Sequence, residues 1–278
     1  MNTLWFLLPA FTACLILTAI HTYLGIHVIQ RGIIFVDISL AQIAALGMTV
    51  AFLIGYHPEE QIAYLFALGF AVLASLFFAF FRDDRVPQEA LIGVAFAVSS
   101  ALSVLIAAVI PHGGEHLKFI LSGNILWVSE PQLLKTFLIY ALIGGFHYYF
   151  KNIFLLVSSQ PEVAKQQGHR IELWNFFFYL TFAVVITSSV QIAGVLLVFS
   201  FLIVPALCSL LFYESLRGRL LFGWLIGGLT SLLGLTFSYL FDLPTGPTIV
   251  AGFGLVLFLC LVTNRLLRRK GSRLSPAG

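Results

Sequence analysis

The chain has 278 residues, 60% of them hydrophobic and only 10% charged, with a formal net charge of +3 and a mean hydropathy of +1.00. Soluble domains carry about 25% charged residues, so this chain has too few charges to cover a soluble fold of its size. Composition excludes a soluble enzyme and predicts an all-α, polytopic helical bundle in lipid, one domain over residues 1–278 with a basic tail at 264–278.

Apolar windows cover residues 4–26, 33–55, 61–81, 90–110, 133–150, 173–190, 192–212, 220–241 and 248–262. Roughly 20 apolar residues cross the hydrocarbon core, so eight or nine spans are expected. No Lys or Arg precedes Leu4, whereas a cleavable signal peptide opens on a positive segment; window 4–26 therefore reads as a retained first helix. Window 33–55 carries Asp37 and Gln42, and window 192–212 carries Pro205. For these two windows the residues leave open a full span, a break or a re-entrant segment. Between Pro111 and Pro131, the stretch 117–128 is too short to span and is expected to lie on, or dip into, the outer face.

Orientation follows from the basic residues. With the C-terminal tail placed in the cytosol, alternation puts Arg31, Arg82, Arg85, Lys151, Lys165, Arg170, Arg217, Arg219, Arg265, Arg268, Arg269, Lys270 and Arg273 inside, leaving only Lys118 and Lys135 outside. That bias is what the positive-inside rule predicts, and it sets the N-terminus outside and the C-terminus in the cytosol. The basic tail is a topological anchor, with no folded basic face to suggest nucleic acid. The outer loops are acidic and histidine-bearing: His57, Glu59 and Glu60 in one, His112, Glu115, His116 and Glu130 around another, Asp242 in the last. His57, His112, Glu115 and His116 are the candidates for metal capture there; solvated loop residues are the plainer account.

Cys14, Cys208 and Cys260 lie in apolar stretches without a C-x-x-C spacing, and read as small buried hydrophobes. The Gly223-x-x-x-Gly227 spacing is a close-packing signal for membrane helices.

No phosphate-binding loop, H-E-x-x-H or G-x-S-x-G occurs in the sequence. If ATP drives this protein, a separate chain hydrolyses it. Asp37 is the most informative residue, because a charge at the centre of a spanning helix costs about 2.5 to 3.5 kcal/mol and usually faces a bundle interior or a watered path. The alternatives are a helix cap or a pairing with Arg31. His21 lies deep in the first window, where an imidazole serves as a metal ligand or as one interhelical hydrogen bond. The polar stretch 158–168 reads as a solvated connector. Residues 205–219 read as a helix that breaks near the inner face, the kind of exposed element a cytosolic motor grips. Two other classes fit the residues: an ion-coupled secondary transporter with Asp37 as relay, and an intramembrane enzyme using Asp37 and His21.

Four stretches carry a resemblance across nearly the whole chain. They are Gly25-Ile-His-Val-Ile-Gln-Arg-Gly32 leading to Asp37 and Leu40-Ala-Gln-Ile-Ala-Ala-Leu-Gly47; Glu89-Ala-Leu-Ile-Gly93; Leu121-Ser-Gly-Asn-Ile-Leu126; and Ala193-Gly-Val-Leu-Leu-Val-Phe-Ser-Phe-Leu-Ile-Val-Pro-Ala206 followed by Asp242-Leu-Pro-Thr-Gly-Pro-Thr-Ile-Val250. In these the chain resembles the permease subunits of bacterial zinc and manganese ABC importers, and is similar to the wider class of cobalamin and siderophore importers.

The resemblance implies a type II importer-like permease in the bacterial inner membrane, surrounded by lipid, acting as a homodimer. An ABC ATPase subunit would sit below and an extracytoplasmic metal-binding protein above. It implies no permanently bound cofactor, a divalent metal ion as substrate with zinc ahead of manganese or iron, and a coupling helix over 205–214 with Pro205, Ala206, Ser209, Tyr213 and Glu214 on the ATPase. Asp37, Gln42 and His21 are its candidates for the metal path. The family pattern places a His four residues after the Asp and a Gly five beyond; here Gln42 holds the His position counted back from Gly47, five residues after Asp37. Gln160 stands where an Asp is usual before Pro-Glu.

Overall fold

A computed structural model of the chain describes residues 3–57, 60–81, 85–111, 113–115, 123 and 125–273, and among them every regular element is helical. Lipid offers no hydrogen bonds to a backbone, so an apolar chain satisfies its own peptide groups by coiling. Helix α1 (Thr3–Arg31) turns at Gly32 into α2 (Val36–Leu53); α3 (Gln61–Phe80) and α4 (Gln88–Ala107) follow. A 3-10 turn at Ile125–Trp127 precedes α5 (Glu130–Tyr149), whose start is fixed by a capping box between Ser129 and Gln132. Two short helices, α6 (Lys151–Ser159) and α7 (Pro161–Gln166), lead into α8 (Ile171–Phe212), α9 (Leu216–Leu240) and α10 (Thr245–Arg273).

Among the described residues seven helices are long and apolar enough to cross a bilayer, and α5 with α6, bent by 76° at their junction, makes an eighth. The 42-residue α8 is two arms. Gly194 within it has φ 76 and ψ 161, a region that essentially only glycine enters. The contacts of the arms show that the chain doubles back there. Ser189, in the first arm, meets His21 of α1, while Leu202, in the second, packs on Gly25 of α1. A continuous helix would carry Leu202 about 20 Å beyond Ser189, far past that level. Divided at Gly194, the two arms of α8 take up the separate hydropathy windows 173–190 and 192–212.

The structure decides both windows that the sequence leaves open. The helix does not break at Pro205: it runs through that residue to Phe212. Proline forfeits one N–H bond but its fixed φ is helical, whereas Gly194 turns the backbone outright. Nor is the Asp37-bearing window broken or re-entrant. Helix α2 is continuous, and 78% of it is buried inside the bundle against 11% for α10, so α2 is an inner helix despite its charge.

The packing explains this. Helix α2 lies among α3, α4 and α8, while α1 is held between α8 and α9. The glycine spacing acts as anticipated: a Cβ on Gly223 would lie 2.4 Å from Thr22 Cγ2, and one on Gly227 2.3 Å from Thr18 Cγ2. Small residues there let α9 approach α1 closely. The loop before α5 meets the turn of α8, since a Cβ on Gly123 would fall 2.2 Å from the Ala193 carbonyl carbon. Of the stretch 117–128, residues 117–122 and 124 lie outside the described residues; the rest contains the Ile125–Trp127 turn and Gly123, whose φ is 62. Cys14 and Cys208 are buried free thiols, and Cys260 is half-buried and also free.

Candidate functional site

Helix α1 ends, and α2, α4 and the first arm of α8 begin, at the end of the bundle that carries Arg31 and Arg170, called here the basic end. Asp37 is the second residue of α2, after Phe35 as N-cap, and is 1% exposed. No other side chain bonds its oxygens, and the nearby N–H groups of Asp37 and Ile38 make no well-formed bond to them. It therefore caps nothing, and Arg31 turns elsewhere: its Nε donates to Ser158 Oγ at 2.9 Å and a terminal nitrogen to Asn175 Oδ1 at 2.6 Å, with the guanidinium 4.0 Å over the Phe178 ring. Only the free N–H groups of α2's first turn, positive as at any helix N-terminus, favour the Asp37 charge.

Glu89, in the first turn of α4, reaches the start of α2 two residues before Asp37. Its Oε1 accepts from the Phe35 N–H at 3.2 Å, and its Oε2 is buried without a partner. Sequence reading quotes Glu89 in a motif but assigns it nothing. It lies at a helix start beside Arg82 and Arg85, where an acidic residue is ordinary, and only the fold brings it to α2. Glu89, Gln30, Arg31 and Asn175 line a polar cavity of about 320 Å³, into which the basic end opens.

A second buried polar set runs along the other side of α1, against α5, α6 and the first arm of α8. His21 is fully buried. Its Nδ1–H donates to the Leu17 carbonyl at 2.8 Å, which leaves Nε2 to accept from Ser189 Oγ at 3.1 Å, and Tyr140 bonds the same hydroxyl. One level on, Tyr23 meets His147 Nδ1 at 3.3 Å and His147 Nε2 meets Thr181 at 2.8 Å. Nearest the basic end, His27 Nδ1 lies 2.8 Å from Ser158 Oγ. The partners of His21, Tyr23 and His27 across helices sit more than a hundred residues away in sequence, so hydropathy gives no sign of them.

The predicted path residues do not converge. Gln42 is buried on α2, but five residues from Asp37 is about 140° around a helix and about 7.5 Å along it. His21 engages α5 and α8. Among the described residues no three His, Cys, Asp or Glu side chains group as a preformed metal site. At the opposite end, His57 and Glu115 are exposed, the His57 N–H bonding the Glu60 carboxylate at 2.8 Å; His112 and His116 lie outside the described residues. In the expected coupling helix Pro205, Ala206 and Ser209 are buried, and only Tyr213 and Glu214 are exposed.

A family model described as the ABC 3 transport family matches residues 3–264. The manganese transport system membrane protein MntC of Listeria innocua is 25% identical over 240 residues, 86% of this chain and 84% of that one. A probable iron transport system membrane protein of Haemophilus influenzae is 26% identical over 246 residues, 88% and 89% of the two chains. Among solved structures, a chain of PsaBC from Streptococcus pneumoniae in complex with Fab has the same fold, with a TM-score of 0.79, 22% identity and 95% of each chain covered.

Proposed function

We propose a function from one premise: the chain belongs to the ABC 3 transport family. It is a multi-pass membrane transport subunit and not an enzyme. Its sequence has no phosphate-binding loop, so ATP hydrolysis belongs to a separate subunit. Its role is to pass a divalent transition metal across the bacterial inner membrane into the cytosol, as one half of a homodimer fed by an extracytoplasmic metal-binding protein. The basic end faces the cytosol, with the N-terminus outside.

The observation that carries this reading is Asp37, a carboxylate 1% exposed with no side-chain partner on either oxygen. A stability role would have given it a partner, since an unpaired buried charge costs free energy; a passing cation supplies one. The donor chemistry reorders the metals expected from sequence. The carboxylate oxygens of Asp37 suit manganese, whereas imidazole suits zinc, and both nitrogens of His21 are engaged. The relatives named for manganese and iron agree with that order, so manganese stands first and zinc second.

The ATPase seat also shifts from the sequence reading. Buried residues give a partner nothing to hold, so Pro205, Ala206 and Ser209 serve α8's own packing. What the cytosolic face presents is the Tyr213–Glu214 turn and α7, where Glu162, Val163 and Lys165 are exposed and Ala164 is buried. We expect Val163→Asp to weaken association with the ATPase, read by co-purification, and Ser209→Ala to leave it unchanged.

The function itself is tested by uptake into vesicles holding the assembled complex, comparing manganese, zinc and iron with and without ATP. ATP-dependent accumulation with manganese fastest supports the reading. A complex that hydrolyses ATP yet accumulates none of the three overturns it.

A further inference from the structure

The flank of the basic end carries an apolar slot that shares no residue with the Asp37 region or with the polar set along α1. It lies between the end of α8 and the adjoining stretches of α9 and α10, and measures about 460 Å³. Phe212 and Tyr213 close it on the α8 side, Phe222 and Ile226 on α9, and the α10 face from Val256 to Thr263 forms the far wall. Seven residues of a helix cover about 10 Å, so the slot runs from the basic end toward the middle of the bundle, along the helix axes. It opens to the surface, with Tyr213 44% and Leu259 52% exposed.

Arg219 stands at the mouth. It precedes Phe222 and Ile226 by three and seven residues, which places it on the same face of α9. Its Nε donates to the Tyr213 carbonyl at 2.9 Å, which fixes the guanidinium at the rim and uses none of the four N–H groups on its terminal nitrogens. Tyr213 is held in turn, its ring 5.3 Å from that of Phe222 between centroids. Arg217 and Glu214 are exposed on the same turn, so two cations against one carboxylate leave the mouth positive.

An apolar slot parallel to the helices, with a fixed guanidinium at its interfacial end, has the polarity of an amphiphile. We propose that it binds an anionic phospholipid of the phosphatidylglycerol type, one acyl chain lying between α8, α9 and α10 and the phosphate held by Arg219 and the Tyr213 hydroxyl. The leaflet rests on the importer reading, which turns the basic end to the cytosol; the site itself does not. A guanidinium pairs with phosphate through two parallel bonds, and basic pockets between helices on the cytosolic side hold anionic headgroups. A helix from a second copy would cover the apolar wall but bring no anion to Arg219. The positive mouth favours phosphatidylglycerol over zwitterionic phosphatidylethanolamine.

Cys260 reports on the slot: it lines the wall and is half-buried, whereas Cys14 and Cys208 are buried. The assembled complex in detergent, washed of native lipid, is mixed with phosphatidylglycerol or phosphatidylethanolamine. Retained lipid is read by native mass spectrometry, and the rate of N-ethylmaleimide addition to Cys260 by peptide mass spectrometry. Phosphatidylglycerol is expected to stay bound and to slow the modification of Cys260, and phosphatidylethanolamine to do so far less. Arg219→Gln is expected to weaken phosphatidylglycerol binding roughly tenfold. Arg170→Gln removes the same charge at an exposed position elsewhere on the basic end and is expected to bind as wild type does.

Three results overturn the site: Arg219→Gln binding phosphatidylglycerol as wild type does, the two lipids protecting Cys260 equally, or Cys260 already shielded before lipid is added, as a second copy in the slot would make it. If Arg219→Gln does not fold, the two-lipid comparison on wild-type Cys260 decides alone. No arm reads transport, so loss of the site leaves the importer reading standing. A complex that binds phosphatidylglycerol through Arg219 yet imports no metal loses only the importer reading.

Discussion

Helix α1 borders two buried polar regions that the fold treats in opposite ways. Toward α5, α6 and α8, the side chains of His21, Tyr23, His147, Thr181 and Ser189 are paired with one another in a ladder. Toward α2 and α4, Asp37, Glu89 and Gln30 keep oxygens without a well-formed bond. Both regions face the same cost, because a polar group withdrawn from water without a bond loses several kcal/mol of solvation in the limit. The first has recovered that cost internally and fixes how three elements dock. The second has left it standing, and a bundle that tolerates unpaired carboxylates where pairing was available has kept them for something that arrives. The distinction is not absolute, since His27 Nε2 in the ladder is also orphaned, but no carboxylate in the ladder is.

The comparison is broken most directly at Asp37. Changing it to Asn is expected to lower ATP-driven manganese uptake by roughly 100-fold while leaving the unfolding midpoint unchanged or higher, because no native bond is lost and a buried charge is removed. A variant that unfolds instead would move Asp37 into the structural class. Next in size is Gly194→Ala. The alanine must adopt φ 76, ψ 161, which costs about 1 to 3 kcal/mol, and the expected result is a lower thermal midpoint in detergent with reduced yield of folded protein. An unchanged midpoint would mean that the arms of α8 are not joined by that strained residue. Smallest is Ser189→Ala on the ladder side, expected to cost about 1 kcal/mol by leaving His21 Nε2 without its partner, with uptake per folded molecule unchanged. Loss of uptake without loss of stability would bring the ladder into the transport path.

How much of this was legible in the sequence divides along similar lines. The spans were, because about 20 apolar residues in a row have few other fates, and so was Asp37, because a charge inside such a run is expensive whatever surrounds it. The doubling back of α8 was misplaced. Pro205 is the conventional break signal, but its φ suits a helix, while Gly194 in an apolar run looks like one more small packing residue until its backbone angles are seen. The burial of residues 205, 206 and 209 was equally hidden, because it depends on how α8 packs beyond Gly194. Glu89 was quoted and passed over, since its bond to the Phe35 N–H, 54 residues away, exists only in the fold. The bonds of His21 depend on Ser189, 168 residues away, and hydropathy carries no register between spans.

The central claim is that the unpaired acidic end of α2 carries a metal. The measurement that tests it most directly is manganese uptake by vesicles holding the wild-type or the Asp37→Asn complex, with ATP hydrolysis followed in the same samples. The account predicts ATP-driven accumulation by wild type and its near loss in the variant, while the variant's complex stays assembled and still hydrolyses ATP. Equal accumulation by the two complexes would contradict it.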